Sequence, residues 1–273
     1  MSSLSELLAT PLPSELAAAQ QKSYVTYSPS LLDESVRPSA APHRVTLLES
    51  RNLISAAGTT GLRTWEAALH LGQYLCASPS LIEGRRVLEL GAGTGYLSIL
   101  CAKFLGAAHV LASDGSDDVV ASLPDNFFVN GLQEHEQQQQ GEEEGSEKKK
   151  KASGCIAALD LKWGHGLVGT EEAEWNGGRP VDLVLGADIT YDRGVIPALA
   201  ATLDELFALY PRVGVLIAAT ERNRDTFEAF LAVCHGRRFA VEEIGFPVPR
   251  REEQRGPFYN DEVPIRICSI ARQ

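Results

Sequence analysis

Sequence patterns that would predict a metal site are missing from this chain. Its cysteines stand singly among apolar neighbours, and neither a CxxC pair nor a mixed Cys/His spacing occurs. An odd number of isolated thiols also offers no disulfide framework. We therefore predict that no metal is bound. We expect reduced, buried thiols in a reducing compartment at Cys76, Cys101, Cys155, Cys234 and Cys268.

Long apolar runs and an excess of positive charge are missing as well. No apolar stretch reaches the roughly 20 residues of a membrane-spanning helix, and the first residues do not pair a basic segment with an apolar one. The formal net charge is −11, whereas a general nucleic-acid binder carries a basic face. We expect a soluble, cytoplasmic, monomeric protein that contacts neither membranes nor nucleic acids directly.

What the chain does contain is a regular alternation of strand and helix patterns from Arg86 onward. The strand-like segments are RVLEL, HVLASD, GCIAALDL, VDLVLGADI, RVGVLIAAT, FAVEEIGF and VPIRICSIAR. Intervening helical patterns indicate βαβ units and hence a parallel sheet, and the last two segments follow one another without a helix. This predicts the α/β fold of class I S-adenosylmethionine-dependent methyltransferases. That fold has a seven-stranded, mostly parallel sheet with a C-terminal antiparallel hairpin.

The chain divides into an N-terminal extension and a larger domain. At 273 residues, 44% of them hydrophobic, it has the length for one α/β domain with an extension. We assign residues 1–57 to an accessory layer of helices and a β-hairpin, and residues 58–273 to the methyltransferase domain. Residues 133–153 contain QEHEQQQQGEEEGSEKKKK, which is polar and of low complexity, and we predict a disordered insertion there.

Several local predictions accompany this division. Weak helical patterns lie near residues 3–9 and 14–22, followed by a loop rich in Pro and Ser to about residue 42. HRVTLLES then predicts a strand and TWEAALHLGQYLCAS a helix. In SDDVVASLPDNFFVNGL, Ser116 is placed to cap a helix, and Pro124 predicts a kink or break within it.

The stretch RRVLELGAGTGYLSIL carries the first functional motif. A phosphate-binding P-loop would need Lys followed by Ser or Thr after the glycines, and a dinucleotide site would need glycine at Tyr96. The pattern is instead Glu89-x-Gly91-x-Gly93-x-Gly95. This tighter turn suits the methionine part of S-adenosylmethionine, because glycine allows close backbone approach and positive φ. We expect the following helix to offer free N–H groups to the carboxylate of the cofactor.

Polar residues that end the later strands complete the predicted site. Asp114 lies 23 positions after the first glycine of the turn, where an acid can accept hydrogen bonds from ribose hydroxyls. In LDLKWG, Asp160 could accept from the adenine amino group and Trp163 could pack on the ring. In GADITYDR, Asp188 and Tyr191 follow a buried strand. Open α/β sheets bind ligands at the carboxyl ends of their strands, so these two residues face the reactive end of the cofactor.

These motifs resemble a known family. The glycine turn and the Asp188-x-x-Tyr191 pattern look like those of the seven-β-strand protein-lysine methyltransferases. More closely, TGLRTWEAALHLGQYL, LELGAGTGYLSI, DLVLGADITYD and AATERNRDTFEAF are similar to the elongation factor 2 lysine methyltransferases of fungi and animals. The likeness extends from about residue 58 to the C-terminus and leaves out the low-complexity insertion.

The resemblance implies roles for individual residues. Trp65 becomes a wall of the cofactor pocket, and Asp188 with Tyr191 forms the active site. The family commonly has Asp directly before Trp, whereas Leu161 and Lys162 separate Asp160 from Trp163 here, so either residue could contact adenine. The other expected cofactor contacts are Glu89, Gly91, Ala92, Gly93, Gly95, Asp114 and Ala187.

The implied activity is methyl transfer from S-adenosylmethionine to a lysine of elongation factor 2. Asp188 would orient the amine and could relay its proton, and Tyr191 would line the channel. Two alternatives stay open: a class I methyltransferase for another protein lysine or another nucleophile, and a catalytically idle cofactor-binding module. Residues 220–223, TERN, could border a substrate channel or form a helix-capping turn.

Overall fold

The computed structural model describes residues 21–35, 43–50, 60–133, 155–167 and 180–273. Their core is a seven-stranded sheet built from β3 (Arg86–Leu90), β4 (His109–Asp114), β5 (Cys155–Asp160), β6 (Leu183–Ala187), β7 (Gly214–Thr220), β8 (Phe239–Ile244) and β9 (Ile265–Arg272). The strand order is β5-β4-β3-β6-β7-β9-β8. Strands β3 to β7 run parallel, and β9 pairs antiparallel with both β7 and β8. The predicted parallel sheet with its antiparallel C-terminal hairpin is confirmed.

Helices cover both faces of this sheet. They are α2 (Glu66–Ala77), α3 (Tyr96–Lys103), α4 (Asp117–Val129), α5 (Ile196–Leu209) and α6 (Arg224–Gly236), with a short 3₁₀ turn at Pro79–Leu81. Neighbouring strand residues point to opposite faces, so Val87 joins a core cluster with Leu69 and Leu97, while Leu88 joins another with Leu199. Burial on both faces explains why the parallel strands are continuously apolar.

A second, two-stranded sheet precedes this domain in the chain. Strand β1 (Ser23–Tyr27) pairs antiparallel with β2 (Val45–Glu49), and a short helix, α1 (Ser30–Ser35), follows β1. The prediction of a loop to about residue 42 is therefore wrong for residues 23–35. Strand β1 is largely exposed and has no amphipathic pattern to reveal it; its pairing with β2 stabilises it. Leu32 and β2 pack in the core cluster that also contains Leu97 of α3.

Helix α4 departs from prediction at Pro124. Of the predicted kink or break, the break is wrong, because the helix is uninterrupted from Asp117 to Val129. The side chains of Asn126 and Asn130 bind the backbone of Thr94 and Thr46 respectively, which anchors α4 to neighbouring elements beyond the proline. Ser116 is the N-cap residue as predicted, but its side chain makes no capping hydrogen bond.

Some predictions fall on residues whose structure is not described. The helix near 3–9, all but the last two residues of the one near 14–22, and nearly all of the 133–153 insertion lie outside the described ranges. Residues 21 and 22 are described and are not helical. Four of the five cysteines, Cys76, Cys101, Cys234 and Cys268, are buried free thiols, as predicted. No described helix has the length and apolarity to cross a bilayer.

Candidate active site

A cavity opens at the carboxyl ends of the parallel strands, where β3 and β6 lie side by side and the strand order reverses. This first cavity has a volume of about 710 Å³. Its lining includes most of the predicted cofactor-binding and catalytic positions: Trp65, Glu89, Gly91, Ala92, Gly93, Asp114, Trp163, Ala187, Asp188 and Tyr191. Ligands of open α/β sheets bind at such a reversal point, so the topology alone selects this crevice.

The glycine turn forms the floor of the first cavity. Gly91 and Gly93 have φ of 65° and 54°, in the left-handed region that favours glycine. A Cβ at Gly91 would lie 2.7 Å from Cγ2 of Ile189, and one at Gly93 would lie 3.2 Å from the carbonyl oxygen of Gly61. Side chains at these two positions would meet residues that line the cavity, so the turn keeps this shape only with glycine there.

Gly95 serves the fold rather than the cavity. It is the N-cap of α3 with φ of 80°, and it is not among the residues that line the cavity. A Cβ there would lie 2.9 Å from Leu123 and 3.4 Å from Phe127 of α4. The predicted third cofactor-binding glycine thus permits close packing of the turn against α4.

Glu89 binds the start of α3 from inside the sheet. Its carboxylate accepts hydrogen bonds from the backbone N–H of Ser98, at 2.9 Å, and from the Ser98 hydroxyl. Burial raises the pKa of Glu89 from 4.5 to about 7, although the hydrogen bonds from Ser98 act in the opposite direction. One of the helix N–H groups expected to face the cofactor is therefore already used by the protein.

Asp114 closes the side of the cavity next to β4. Its carboxylate accepts from the N–H of Gly93 at 3.1 Å and from the N–H of Ser116 at 3.0 Å. Burial is the main cause that raises the pKa of Asp114, and these backbone hydrogen bonds oppose it. The contact with Gly93 ties the acid to the glycine turn, which brings both predicted motifs to one surface.

The structure separates the two candidates for the adenine contact. Trp163 lines the first cavity, and its indole nitrogen is buried without a hydrogen-bond partner. Asp160 does not line the cavity; its carboxylate lies 2.8 Å from the ammonium of Lys162, which also binds Asp117 at 2.9 Å. The inserted Leu161 and Lys162 thus turn the acid away and leave the indole facing the cavity.

Asp188 occupies a constrained position after β6. It is one of the described non-glycine residues with positive φ, at 53°, and its side chain is buried. Its carboxylate accepts from the N–H and the hydroxyl of Thr220, at 2.8 and 3.0 Å, and from the N–H of Ala67 at 3.4 Å. Arg222 lies 3.5 Å away. A buried carboxylate needs such partners, and here they also join β7 and α2 to the end of β6.

A second, smaller cavity of about 300 Å³ adjoins the first. Thr60, Trp65, Asp188 and Tyr191 line both cavities. The second cavity is completed by Thr190, Ala219, Thr220, Arg222, Asn223, Thr226 and Phe227. Three residues of TERN line this space, whereas Glu221 binds Arg266 at 2.9 Å. Asn223 also caps α6 by accepting from Thr226, which confirms the predicted helix-capping turn. That the turn borders a substrate channel stays a prediction.

Sequence reasoning missed the polar chain beneath the glycine turn. The hydroxyl of Thr64 donates to Glu49 of β2 at 2.6 Å and lies 2.6 Å from the hydroxyl of Thr94, which sits between two glycines of the turn. Tyr27 of β1 donates to the same glutamate at 3.1 Å. The first cavity is therefore braced by the two-stranded sheet. No local pattern signals these contacts, because they join residues far apart in the chain.

Comparison with known proteins identifies the family of this chain. Residues 53–235 match the family model described as lysine methyltransferase. The chain belongs to this family. It is 58% identical over its whole length to protein-lysine N-methyltransferase EFM3 of Chaetomium thermophilum, 74% of which it covers. It is 32% identical to EFM3 of Saccharomyces cerevisiae, over 70% of the chain and 53% of that protein. With human protein-lysine N-methyltransferase EEF2KMT it shares 30% identity, over 83% of the chain and 63% of that protein.

The chain is also similar to solved structures, at low sequence identity. An S-adenosylmethionine-dependent methyltransferase from Aquifex aeolicus aligns with a TM-score of 0.48 and 14% identity, over 74% of this chain and 90% of that chain. Family membership makes S-adenosylmethionine the cofactor of this enzyme, and the first cavity fits it. A Cβ at Gly91 would lie 2.7 Å from Ile189 and 3.4 Å from Trp163, both of which line the cavity, and the unpartnered indole nitrogen of Trp163 is buried at its wall. Among the described residues no group of acids, histidines and cysteines could hold a metal ion.

Proposed function

We propose that the enzyme methylates a lysine of translation elongation factor 2. Family membership supports lysine as the acceptor. The likeness of TGLRTWEAALHLGQYL and AATERNRDTFEAF to the elongation factor 2 lysine methyltransferases supports the choice of substrate. The observation that carries the proposal is the pair of adjoining cavities. A cofactor in the first and a lysine in the second would meet at the shared wall of Thr60, Trp65, Asp188 and Tyr191.

In this proposal the first cavity holds the cofactor along its length. Gly91, Ala92 and Gly93, with Glu89 behind them, receive the methionine end, and Asp114 accepts from the ribose hydroxyls. Trp163 packs against adenine, since it lines the cavity and Asp160 does not. Trp65 and Ala187 complete the wall next to Asp188. When bound, S-adenosylmethionine would supply a sulfonium methyl group: the lone pair of the lysine nitrogen forms the new N–C bond as the S–C bond breaks, and S-adenosylhomocysteine leaves.

The second cavity suits the side chain of a lysine. Trp65, Tyr191 and Phe227 give it aromatic walls that pack against the lysine methylenes and remove water from the amine. A free lysine is almost entirely ammonium at pH 7 and then has no lone pair. Desolvation in this channel lowers the pKa of the amine and so favours the reactive form.

Asp188 is suited to orient the amine. The protein already directs four donors at its carboxylate: the N–H and hydroxyl of Thr220, the N–H of Ala67 and the guanidinium of Arg222. The contacts from Ala67 and Arg222 are long, at 3.4 and 3.5 Å, and leave the carboxylate able to accept a hydrogen bond from an amine. The shorter contacts from Thr220 fix its direction. This favours a positioning task over proton relay. Tyr191, whose side chain is exposed at the mouth of both cavities, guides the lysine towards Asp188.

The setting of this activity follows from the same proposal. Elongation factor 2 acts in translation, so we place the enzyme in the cytoplasm, acting as a monomer on a protein substrate. The formal net charge of −11 favours encounter with a basic patch of the substrate, because complementary charge speeds association.

The direct test is incubation of the purified enzyme with radiolabelled S-adenosylmethionine and purified elongation factor 2. We expect label on one lysine, a loss of at least a hundredfold in Asp188→Ala, and no loss in the control Asp192→Asn, which changes an exposed acid nearby. Because Asp188 also holds Thr220 and Ala67, calorimetry must show that the variant still binds the cofactor. Label that appears only on other proteins of a lysate would overturn elongation factor 2 as the substrate while leaving the lysine activity in place.

A further inference from the structure

Arg222 lies at the boundary between the two cavities, on the side of the second one. Its Nη2 is 2.5 Å from Oε2 of Glu66 and 3.5 Å from Oδ2 of Asp188. Its guanidinium carbon is 5.0 Å from the centre of the Trp65 ring. The guanidinium therefore touches both carboxylates and the aromatic wall at this boundary.

The charges around this boundary balance locally, although the chain as a whole is acidic. Arg63 lies 3.7 Å from Glu66, and its guanidinium carbon is 4.4 Å from the centre of the Trp65 ring. The two guanidiniums thus face the two carboxylates, Glu66 and Asp188, and Tyr191 adds a phenol at the mouth. Of the neighbouring charged groups, Glu221 pairs with Arg266 and Arg193 with Asp225, and the exposed Asp192 accepts from the N–H of Gly194.

We propose that Arg222 is a positioning residue of the transfer site, which is the wall of Thr60, Trp65, Asp188 and Tyr191 shared by the two cavities. Its positive charge offsets the negative charge of Asp188, so that the carboxylate orients an incoming amine without holding it as an ammonium ion. The proposal rests on the function proposed above. A carboxylate within about 4–6 Å favours the charged form of an amine, which opposes reaction, and a nearby cation favours the neutral form. The backbone donors to Asp188 fix its direction, but only Arg222 among its described partners brings a full positive charge.

The first test is a pH profile of single-turnover methylation in Arg222→Gln. Removing the cation leaves the ammonium better stabilised, so we expect the midpoint of the alkaline rise in rate to move up by about one pH unit. At pH 7 the rate then falls about tenfold without a rise in KM, and alkaline pH restores it. Arg222→Lys keeps the charge and should retain the wild-type midpoint.

The control is Arg224→Gln, which makes the same change of charge two residues away. Arg224 pairs with Glu228 on the surface of α6 and lines neither cavity. We expect its pH profile to match the wild type. A rate loss in Arg222→Gln that alkaline pH does not restore, accompanied by a raised KM, would mean that Arg222 only shapes the channel, and the proposal would be wrong.

A binding measurement tests the same idea without the protein substrate. Sinefungin carries a primary amine in place of the methylsulfonium group of the cofactor, whereas S-adenosylhomocysteine has no charge at that position. We expect the ratio of the Kd of S-adenosylhomocysteine to that of sinefungin to rise about tenfold in Arg222→Gln. An unchanged ratio would overturn the proposal. If the wild-type protein binds neither compound, the assignment of the first cavity to the cofactor fails, and the proposed function built on it fails as well.

Discussion

Glu89 gives the sharpest quantitative prediction, because its carboxyl is buried in the sheet with a pKa of about 7. A native pKa above the unfolded value means that the native state holds a proton that the unfolded chain has released. The contribution of Glu89 to stability is therefore fully present below pH 4.5 and is lost as pH rises towards 7. Glu89→Gln removes this titration while keeping an oxygen that accepts from Ser98.

The difference in unfolding free energy between Glu89→Gln and wild type should therefore depend on pH. Between pH 5.5 and pH 8 it should move by about 2 kcal/mol in favour of the variant, since 1.5 pKa units lie in that window. Urea unfolding of the cofactor-free protein at the two pH values measures this difference. The exposed Glu252→Gln should show a shift of only a few tenths of a kcal/mol.

The test is how the difference in unfolding free energy between Glu89→Gln and wild type changes with pH, and not whether the variant is more or less stable at a single pH. If Glu89→Gln is destabilised equally at pH 5.5 and pH 8, the carboxyl titrates in the native state as it does in the unfolded chain. Burial would then not raise the pKa of Glu89, and Ser98 at the start of α3 would donate to an ordinary ionised carboxylate. Ser98→Ala offers a further check, because loss of the hydroxyl donor should raise the Glu89 pKa and extend the window to higher pH.

Two further predictions concern the backbone. Gly91→Ala should lower the unfolding free energy by about 1–2 kcal/mol because of its positive φ, and it should lower cofactor affinity at least tenfold because the new Cβ meets Ile189. The control Gly84→Ala, with φ of 70° and open space around it, should show only the loss of stability. Urea unfolding and calorimetry measure the two effects. Pro124→Ala should raise the unfolding free energy by about 2 kcal/mol in urea titration, because the alanine N–H can complete the ladder of an already continuous α4; no gain would mean that the proline costs nothing there.

The sequence predicted the main sheet well because its signals are local. Each parallel strand is a short apolar run closed by a polar or glycine residue, and the missing helix before VPIRICSIAR indicated the hairpin. A β-hairpin was expected in the N-terminal extension, but the sequence did not locate strand β1 or helix α1, because the contacts that hold them are distant in the chain. Tyr27 binds Glu49, and Gln73 of α2 donates to Ser30 at 3.0 Å. Helix α4 likewise continues past Pro124, and beyond the proline Asn126 donates to the carbonyl of Thr94, a contact that no local helix rule contains.

The residues of the candidate site likewise fall into those whose position follows from local sequence and those whose position depends on distant contacts. Gly91, Gly93 and Asp114 follow directly from the ends of β3 and β4, and the structure brings them to one cavity. Asp160 stands at the expected strand end, but two extra residues let Lys162 capture its carboxylate. Whether a strand-end acid faces a ligand depends on such side-chain competition, which spacing along the chain does not reveal.

The transfer site is also coupled to the rest of the fold more tightly than its motifs suggest. Asp188 joins β6 to α2 and β7, and Trp65 directly precedes α2. From the other side, Thr64 connects the glycine turn to Glu49 of the two-stranded sheet. The wall between the cavities is therefore held by elements from three parts of the chain. In-line transfer depends on positions held to within an ångström, so this bracing is where the N-terminal sheet would contribute to catalysis without touching either reactant.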